Sequence, residues 1–251
     1  MTTQMTIKTR IFEAVLFLAA INTSVSHAEL LELGEVFSSG NTTSLFGSGS
    51  DTGLYVQGNT SASILDLNSG GFNTQGGFPN TGDSQDTLLG LGGAIGTFKQ
   101  YDKFRVRLEA EGMWQGDSTN VTNSFPGPPG PITFFYTAQA EQNWSAMANL
   151  WFDAPLTRHL AMYAGGGIGA AGTRLTVDDT VVVGQSSSTN FAYQVGTGLI
   201  LPVGKNVEFD MGYRFLDAGK TTAALGGGAS GNYTADLLSH QLMFSVRLKL
   251  R

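Results

Sequence analysis

The sequence predicts an all-β fold, an eight-stranded antiparallel transmembrane β-barrel with short periplasmic turns and long extracellular loops. Three observations predict it. After residue 50, extended segments of alternating apolar and polar residues recur, and their connections run alternately short and long. No segment beyond the N-terminal run is long and apolar enough for a spanning helix. The composition is oily yet sparsely charged, with 41% hydrophobic and 14% charged residues and 34 Gly.

The N-terminus reads as an export signal. Lys8 and Arg10 precede an apolar run from Ile11 to Ile21, broken only by Glu13, and Ser26-His27-Ala28 puts small residues where a signal peptidase reads. The run is short of the roughly 20 apolar residues a spanning helix needs. Residues 1–28 are therefore read as a signal peptide, 29–51 as a periplasmic lead-in and 52–251 as the barrel domain. Within the lead-in, Glu29, Glu32 and Glu35 come first, and 38–50 is Ser/Gly/Asn/Thr-rich and reads as a flexible linker. With no Cys in the chain, disulfides and a lipid-modified Cys are excluded. The net charge is −6, and cleavage after Ala28 takes it to about −7, which disfavours nucleic acid or anionic lipid as partners.

The last strand shows the pattern most cleanly. Leu242, Phe244, Val246, Leu248 and Leu250 alternate with Gln241, Met243, Ser245, Arg247 and Lys249, so one face is oily and the other mostly polar. Val207 to Phe215 repeats the alternation, as does Phe104 to Glu111. Eight such segments are predicted, at 52–64, 87–98, 103–115, 137–153, 159–175, 190–202, 206–217 and 236–250. The connections at 100–102, 154–158 and 203–205 are tight. Those at 65–86, 116–136, 176–189 and 218–235 are long and rich in Gly, Ser, Thr, Asn and Pro, the asymmetry expected of an outer-membrane barrel. Closure leaves no unpaired sheet edge in hydrocarbon.

Eight strands enclose only enough room for side chains. The charges assigned inward are Arg105, Arg107, Arg214, Arg247 and Lys249 against Glu109, Glu111, Glu208 and Asp210. Buried charges must be paired, so their near balance predicts a salt-bridged plug. Trp114, Phe152, Phe191, Tyr193 and Phe215 sit near strand ends, where interfacial aromatic girdles form. Phe134-Phe135-Tyr136, after the proline-rich Phe125 to Pro131, reads as part of the outer girdle.

Several stretches resemble the opacity-type, OmpA-like outer-membrane barrel family. Ala148-Asn149-Leu150-Trp151-Phe152-Asp153, followed by Tyr163-Ala164-Gly165-Gly166-Gly167-Ile168-Gly169, resembles its central "NLYYD…PYVGAGVG". Phe191 to Gly198 resembles its sixth strand, Gly212-Tyr213-Arg214-Phe215-Leu216-Asp217 its "GYRYLD" strand, and Ser239-His240-Gln241 into Arg247 its closing strand. The resemblance implies an eight-stranded barrel with surface loops, inserted by the barrel-assembly machinery into outer-membrane lipid. That family includes surface antigens, adhesins and porin-like proteins. Its usual terminal Phe is replaced here by Leu250-Arg251.

Tempting chemistry reads otherwise. Gly167-Ile168-Gly169-Ala170-Ala171-Gly172 matches G-x-G-x-x-G, but Thr173 to Val177 continues a strand where a dinucleotide site needs a helix. His159 belongs to a turn, and Ser239 and His240, adjacent on a strand, face opposite ways and form no dyad. Asp178-Asp179 falls short of the six or more oxygens a Ca²⁺ site takes. No cofactor, metal or catalytic residue is expected. Three functions stay open: a structural or surface-interaction barrel meeting an external ligand or host surface, a narrow porin-like channel motivated by Gly196, Gly198, Ser245 and Asn149, and a lipid-modifying enzyme.

Overall fold

In a computed structural model, the described residues are 52–74, 84–118, 122–126, 133–157, 159–178, 182–227 and 231–250. Among them lie nine strands: β1 (Thr52–Thr74), β2 (Ser84–Gln100), β3 (Arg105–Gln115), β4 (Thr122–Pro126), β5 (Thr133–Pro155), β6 (Ala161–Asp178), β7 (Val182–Pro202), β8 (Val207–Gly227) and β9 (Gly231–Leu250). Eight of them close on themselves. β1 pairs with β2 and with β9, β2 with β3, β3 with β5, and β5 through β9 each with the next, all antiparallel. Among the described residues β4 pairs only with β5, Thr122 opposite Thr137, as a hairpin arm outside the ring. The readings of 1–28 and 29–51, of Asp179 and of Arg251 lie outside the described residues, as do those resting on the side chains of 119–138.

The tight turns hold at one end. Tyr101 N–H donates to the Phe104 carbonyl at 2.8 Å, Leu156 N–H to Leu160 at 2.9 Å and Val203 N–H to Val207 at 2.9 Å. The other end departs from the sequence reading. β1 runs to Thr74 rather than 64, β7 starts at Val182 rather than 190, β8 runs to Gly227 rather than 217, and β9 starts at Gly231 rather than 236. The segments read as long loops at 65–86, 176–189 and 218–235 are thus largely wall, and 116–136 contains β4. Their Gly, Ser, Thr and Asn content argues for loops residue by residue. Strand propensity is nonetheless mostly context, and a ladder already formed below supplies each further residue with partners.

Alternation sorts the side chains. Leu91, Ile95, Leu108, Ile168, Val195, Phe209 and Phe244 face outward and are exposed, a continuous apolar band that only lipid would cover. Trp114 and Trp144 stand opposite each other in the β3–β5 register at its loop-end margin, with Phe191 and Tyr193 further round and Phe152 at the turn end. Phe215 is half-buried beside the His240 ring.

Of the bulges that interrupt the ladders just beyond that margin, two hold a residue at positive φ. Between Glu141 and Trp144, Gln142 takes φ of 52° and its amide donates to Asp117 Oδ1 at 2.7 Å. Between Asp217 and Lys220, Gly219 takes φ of 77° and donates to Asp217 Oδ1 at 2.9 Å. Each bulge leaves an extra residue unpaired and re-aims the strand. The G-x-G-x-x-G stretch lies wholly inside β6, with no helix after it. A Cβ on Gly165 would meet the Trp151 ring, and one on Gly167 the Asn149 side chain, so these glycines make room for what fills the lumen.

Candidate functional site

The lumen changes character along its length. Toward the loop end its inward residues are mostly apolar or neutral, among them Leu65, Met147, Leu216 and Leu237. Toward the turn end it is charged. Period-2 alternation aims Arg105, Arg107, Glu109 and Glu111 inward from β3, Glu208, Asp210 and Arg214 from β8, and Arg247 from β9, all 6% exposed or less. Lys249 joins them with 12% of its side chain exposed. The structure gathers these nine residues into one network.

Its centre is a chelate across the barrel. Arg105 Nη1 and Nη2 donate to Glu208 Oε1 and Oε2 at 2.8 and 2.9 Å, a two-pronged bond linking β3 to β8 on the opposite wall. Glu208 also accepts from Arg247 Nη1 at 2.7 Å and lies 2.6 Å from Lys249 Nζ. One carboxylate therefore meets three cations. Arg247 continues to Asp210 Oδ2 at 2.6 Å and to Gln57 Oε1 at 2.8 Å.

Behind this ring sits a residue that the inward-charge reading omits, Asp153. It is fully buried opposite Arg105 in the β3–β5 register. It accepts from Arg105 Nε at 2.7 Å and from Arg107 Nε at 2.8 and 3.0 Å. With Asp153 the network holds five acids against five cations, so it balances in formal charge. The signal was present in the sequence: Asn149, Trp151 and Asp153 alternate with Leu150 and Phe152, which puts Asp153 on the polar face.

Above lies a second layer. Glu109 accepts from Tyr55 Oη at 2.9 Å, Asn149 Nδ2 at 3.0 Å and Trp151 Nε1 at 3.3 Å. Arg214 donates to Glu111, and its guanidinium stacks 5.4 Å from the Trp151 ring. Arg247 lies 5.2 Å from Tyr55 and Arg107 5.5 Å from Tyr163. Aromatic rings thus fill the space between charges. A Cβ on Gly198 would meet the Tyr163 ring, so this inward glycine, one motive for a channel, borders a filled lumen.

The catalytic candidates do not converge. Ser239 is buried on the lumen side, accepting from Gln241 Nε2 at 3.2 Å. His240 faces outward, with Nδ1 2.5 Å from Tyr213 Oη and Nε2 3.7 Å from Asp66 Oδ2. His159 is exposed in the β5–β6 turn. Among the described residues no three His, Asp or Glu side chains group as metal ligands.

The chain has known relatives. Outer membrane protein PagN of Salmonella typhimurium is 26% identical over 162 residues, which are 61% of this chain and 67% of that protein. Among solved structures, Neisserial surface protein A is similar at 18% identity and a TM-score of 0.43, covering 78% of this chain and 97% of its own. Ail, the attachment invasion locus protein of Yersinia pestis, is similar at 10% identity and a TM-score of 0.42, covering 79% and 99%. The family model described as outer membrane protein beta-barrel domain matches residues 36–247. The chain belongs to that family, as an outer-membrane β-barrel protein of a Gram-negative-type envelope.

Proposed function

We propose that this protein is a non-conducting outer-membrane barrel of the opacity type, whose work is done by what it displays outside rather than by what passes through. The observation that supports this reading is the Arg105–Glu208–Arg247 chelate with Asp153 behind it, which crosses the lumen from β3 to β8. Residues 1–28 direct export, 29–51 stay periplasmic, and the barrel-assembly machinery inserts 52–251 into outer-membrane lipid. The strands rise past the apolar band, and the surface they present beyond it meets an external ligand or host surface.

Planar-bilayer recording on refolded protein, its folding shown by the heat-dependent gel shift, tests this. A silent barrel is expected, and silence should persist in Glu109→Ala and Arg214→Ala even as their stability falls. Discrete, repeatable conductance steps from the wild type would sink the proposal. They would favour the second reading, a narrow porin-like channel. Supporting that reading are Asn59 Nδ2 and Ser61 Oγ, buried in the lumen with no hydrogen-bond partner among the described residues. Such groups are ordinarily hydrated.

A further inference from the structure

The barrel wall is not uniform. The β7–β8 ladder runs from Pro202–Glu208 to Tyr193–Asp217, stops, and resumes at Gly184–Leu225. Between these points residues 185–192 of β7 lie against 218–224 of β8 with no ladder pair. The other breaks span only a residue or two on a strand. Side chains bridge this one. Ser188 Oγ and Thr221 Oγ1 are 2.7 Å apart, and Asn190 Nδ2 donates to the Ala218 carbonyl at 3.3 Å and to Thr221 Oγ1 at 3.4 Å. A stretch held by a few side-chain bonds opens more readily than one held by a ladder. Its lower end is marked outside by the exposed Phe191 and Tyr193, the level of the outer lipid boundary.

Within the lumen, touching the seam at Ala218, lies a cavity of about 30 Å³, room for a water or two. Its walls include Leu65, Leu216 and Leu237, the amide of Gln115, the hydroxyl of Ser145, and Ala218 of the seam. None of its lining residues is charged. Gln115 is only 7% exposed, and its side chain makes no hydrogen bond among the described residues. An unpartnered amide in a mostly apolar pocket fits a ligand with one polar group on an aliphatic body. Closed, the cavity takes only water; because Ala218 belongs to both wall and seam, parting the seam would enlarge it enough for such a ligand and connect it sideways to the lipid boundary.

We propose that the β7–β8 seam is a lateral port through which a short uncharged amphiphile, such as an aliphatic alcohol, passes from the outer leaflet boundary into this cavity. The ligand's polar end meets Gln115 and its tail lies against Leu216 and Leu237. The charged network below stops it from going further.

The test is methyl NMR of the refolded protein in lipid nanodiscs, titrated with hexanol. Saturable shifts are expected at Ala171, Leu216 and Leu237, with only linear, unsaturating drift at the lipid-facing Leu54 and Leu248. The chain has no Cys, so Ser188→Cys with Thr221→Cys introduces the sole thiols. Oxidising that pair should abolish the saturable shifts on the titration timescale, and reduction should restore them. Asn190→Ala, which removes two of the three bridges, should speed exchange. Gln115→Leu should lose saturable hexanol binding while keeping the gel shift. Unmoved lumenal methyls in the wild type would overturn the site. Unchanged binding in the oxidised pair, or unchanged exchange in Asn190→Ala, would overturn the lateral route.

Discussion

The two halves of the lumen share one wall and one alternation, yet they are built on opposite principles. The turn-end half is filled by ten charges that neutralise one another, with Arg105 and Asp153 both fully buried. The loop-end half is lined by Leu65, Met147, Leu216 and Leu237, keeps a small cavity, and is flanked by the unpaired β7–β8 stretch. The difference lies in what each half can lose. A charge in the lower half cannot lose its partner without leaving a cation in a low-dielectric interior. A side chain in the upper half can shift or shorten at the smaller cost of packing. The barrel is therefore rigid where it is sealed and yielding where it meets the outside.

The sharpest way to break this contrast is at Glu208. Glu208→Ala removes the carboxylate that Arg105, Arg247 and Lys249 share, leaving Arg105 to Asp153 and Arg247 to Asp210. Removing one partner of a buried pair costs about 3–5 kcal/mol, and here the remaining four acids face five cations. The urea midpoint of the refolded barrel should fall by about that equivalent. A fall no larger than that of Lys249→Ala, at the network's more exposed edge, would show that the chelate does not hold the lower half together.

Leu216→Ala probes the upper half, and its expected cost is about 2 kcal/mol, the low end for a buried leucine, because the adjoining cavity lets neighbours relax. A cost as large as that at Glu208 would erase the distinction. Gly167→Ala tests how tightly the lumen is filled at the middle level. Its Cβ meets the Asn149 side chain, which carries hydrogen bonds to Glu109 and from Gln194, so overpacking should cost about 1–2 kcal/mol. A neutral result would mean that Asn149 moves freely and the middle layer is loosely packed.

These contrasts were unequally legible in the sequence. The lower network could be read because Arg105 to Glu111, Glu208 to Arg214 and Arg247 to Lys249 put charges at every second position, and strand geometry turns that spacing into one face. Asp153 followed the same rule, but its alternation sits at the end of a strand whose other inward residues, Met147, Asn149 and Trp151, carry no charge. The extra wall height could not be read. Asn68 to Thr74 looks like loop by itself, and its pairing with Gly231 to Asp236 depends on a register set further down β1 and β9. The seam was invisible for the same reason. It is a property of two strands failing to pair, and nothing in 185–192 or 218–224 alone announces it.

The smallest predicted effect lies on the outside of the upper half. Lys220 and Asp236 form an ion pair at 3.4 Å across the β8–β9 ladder, but their side chains are 62% and 36% exposed. An exposed pair is worth about 0–1 kcal/mol, since water and salt screen it and two side chains lose freedom in making it. Lys220→Ala should therefore leave the urea midpoint nearly unchanged, and raising the salt should narrow even that difference. Lys220 stands one residue beyond the bulge at Gly219, on the strand that borders the seam. If the substitution proved as costly as a lumenal one, the pair would be pinning β8 to β9 against the pull of an unpaired neighbour. The yielding half of the barrel would then owe its position to its outer surface rather than to its lining.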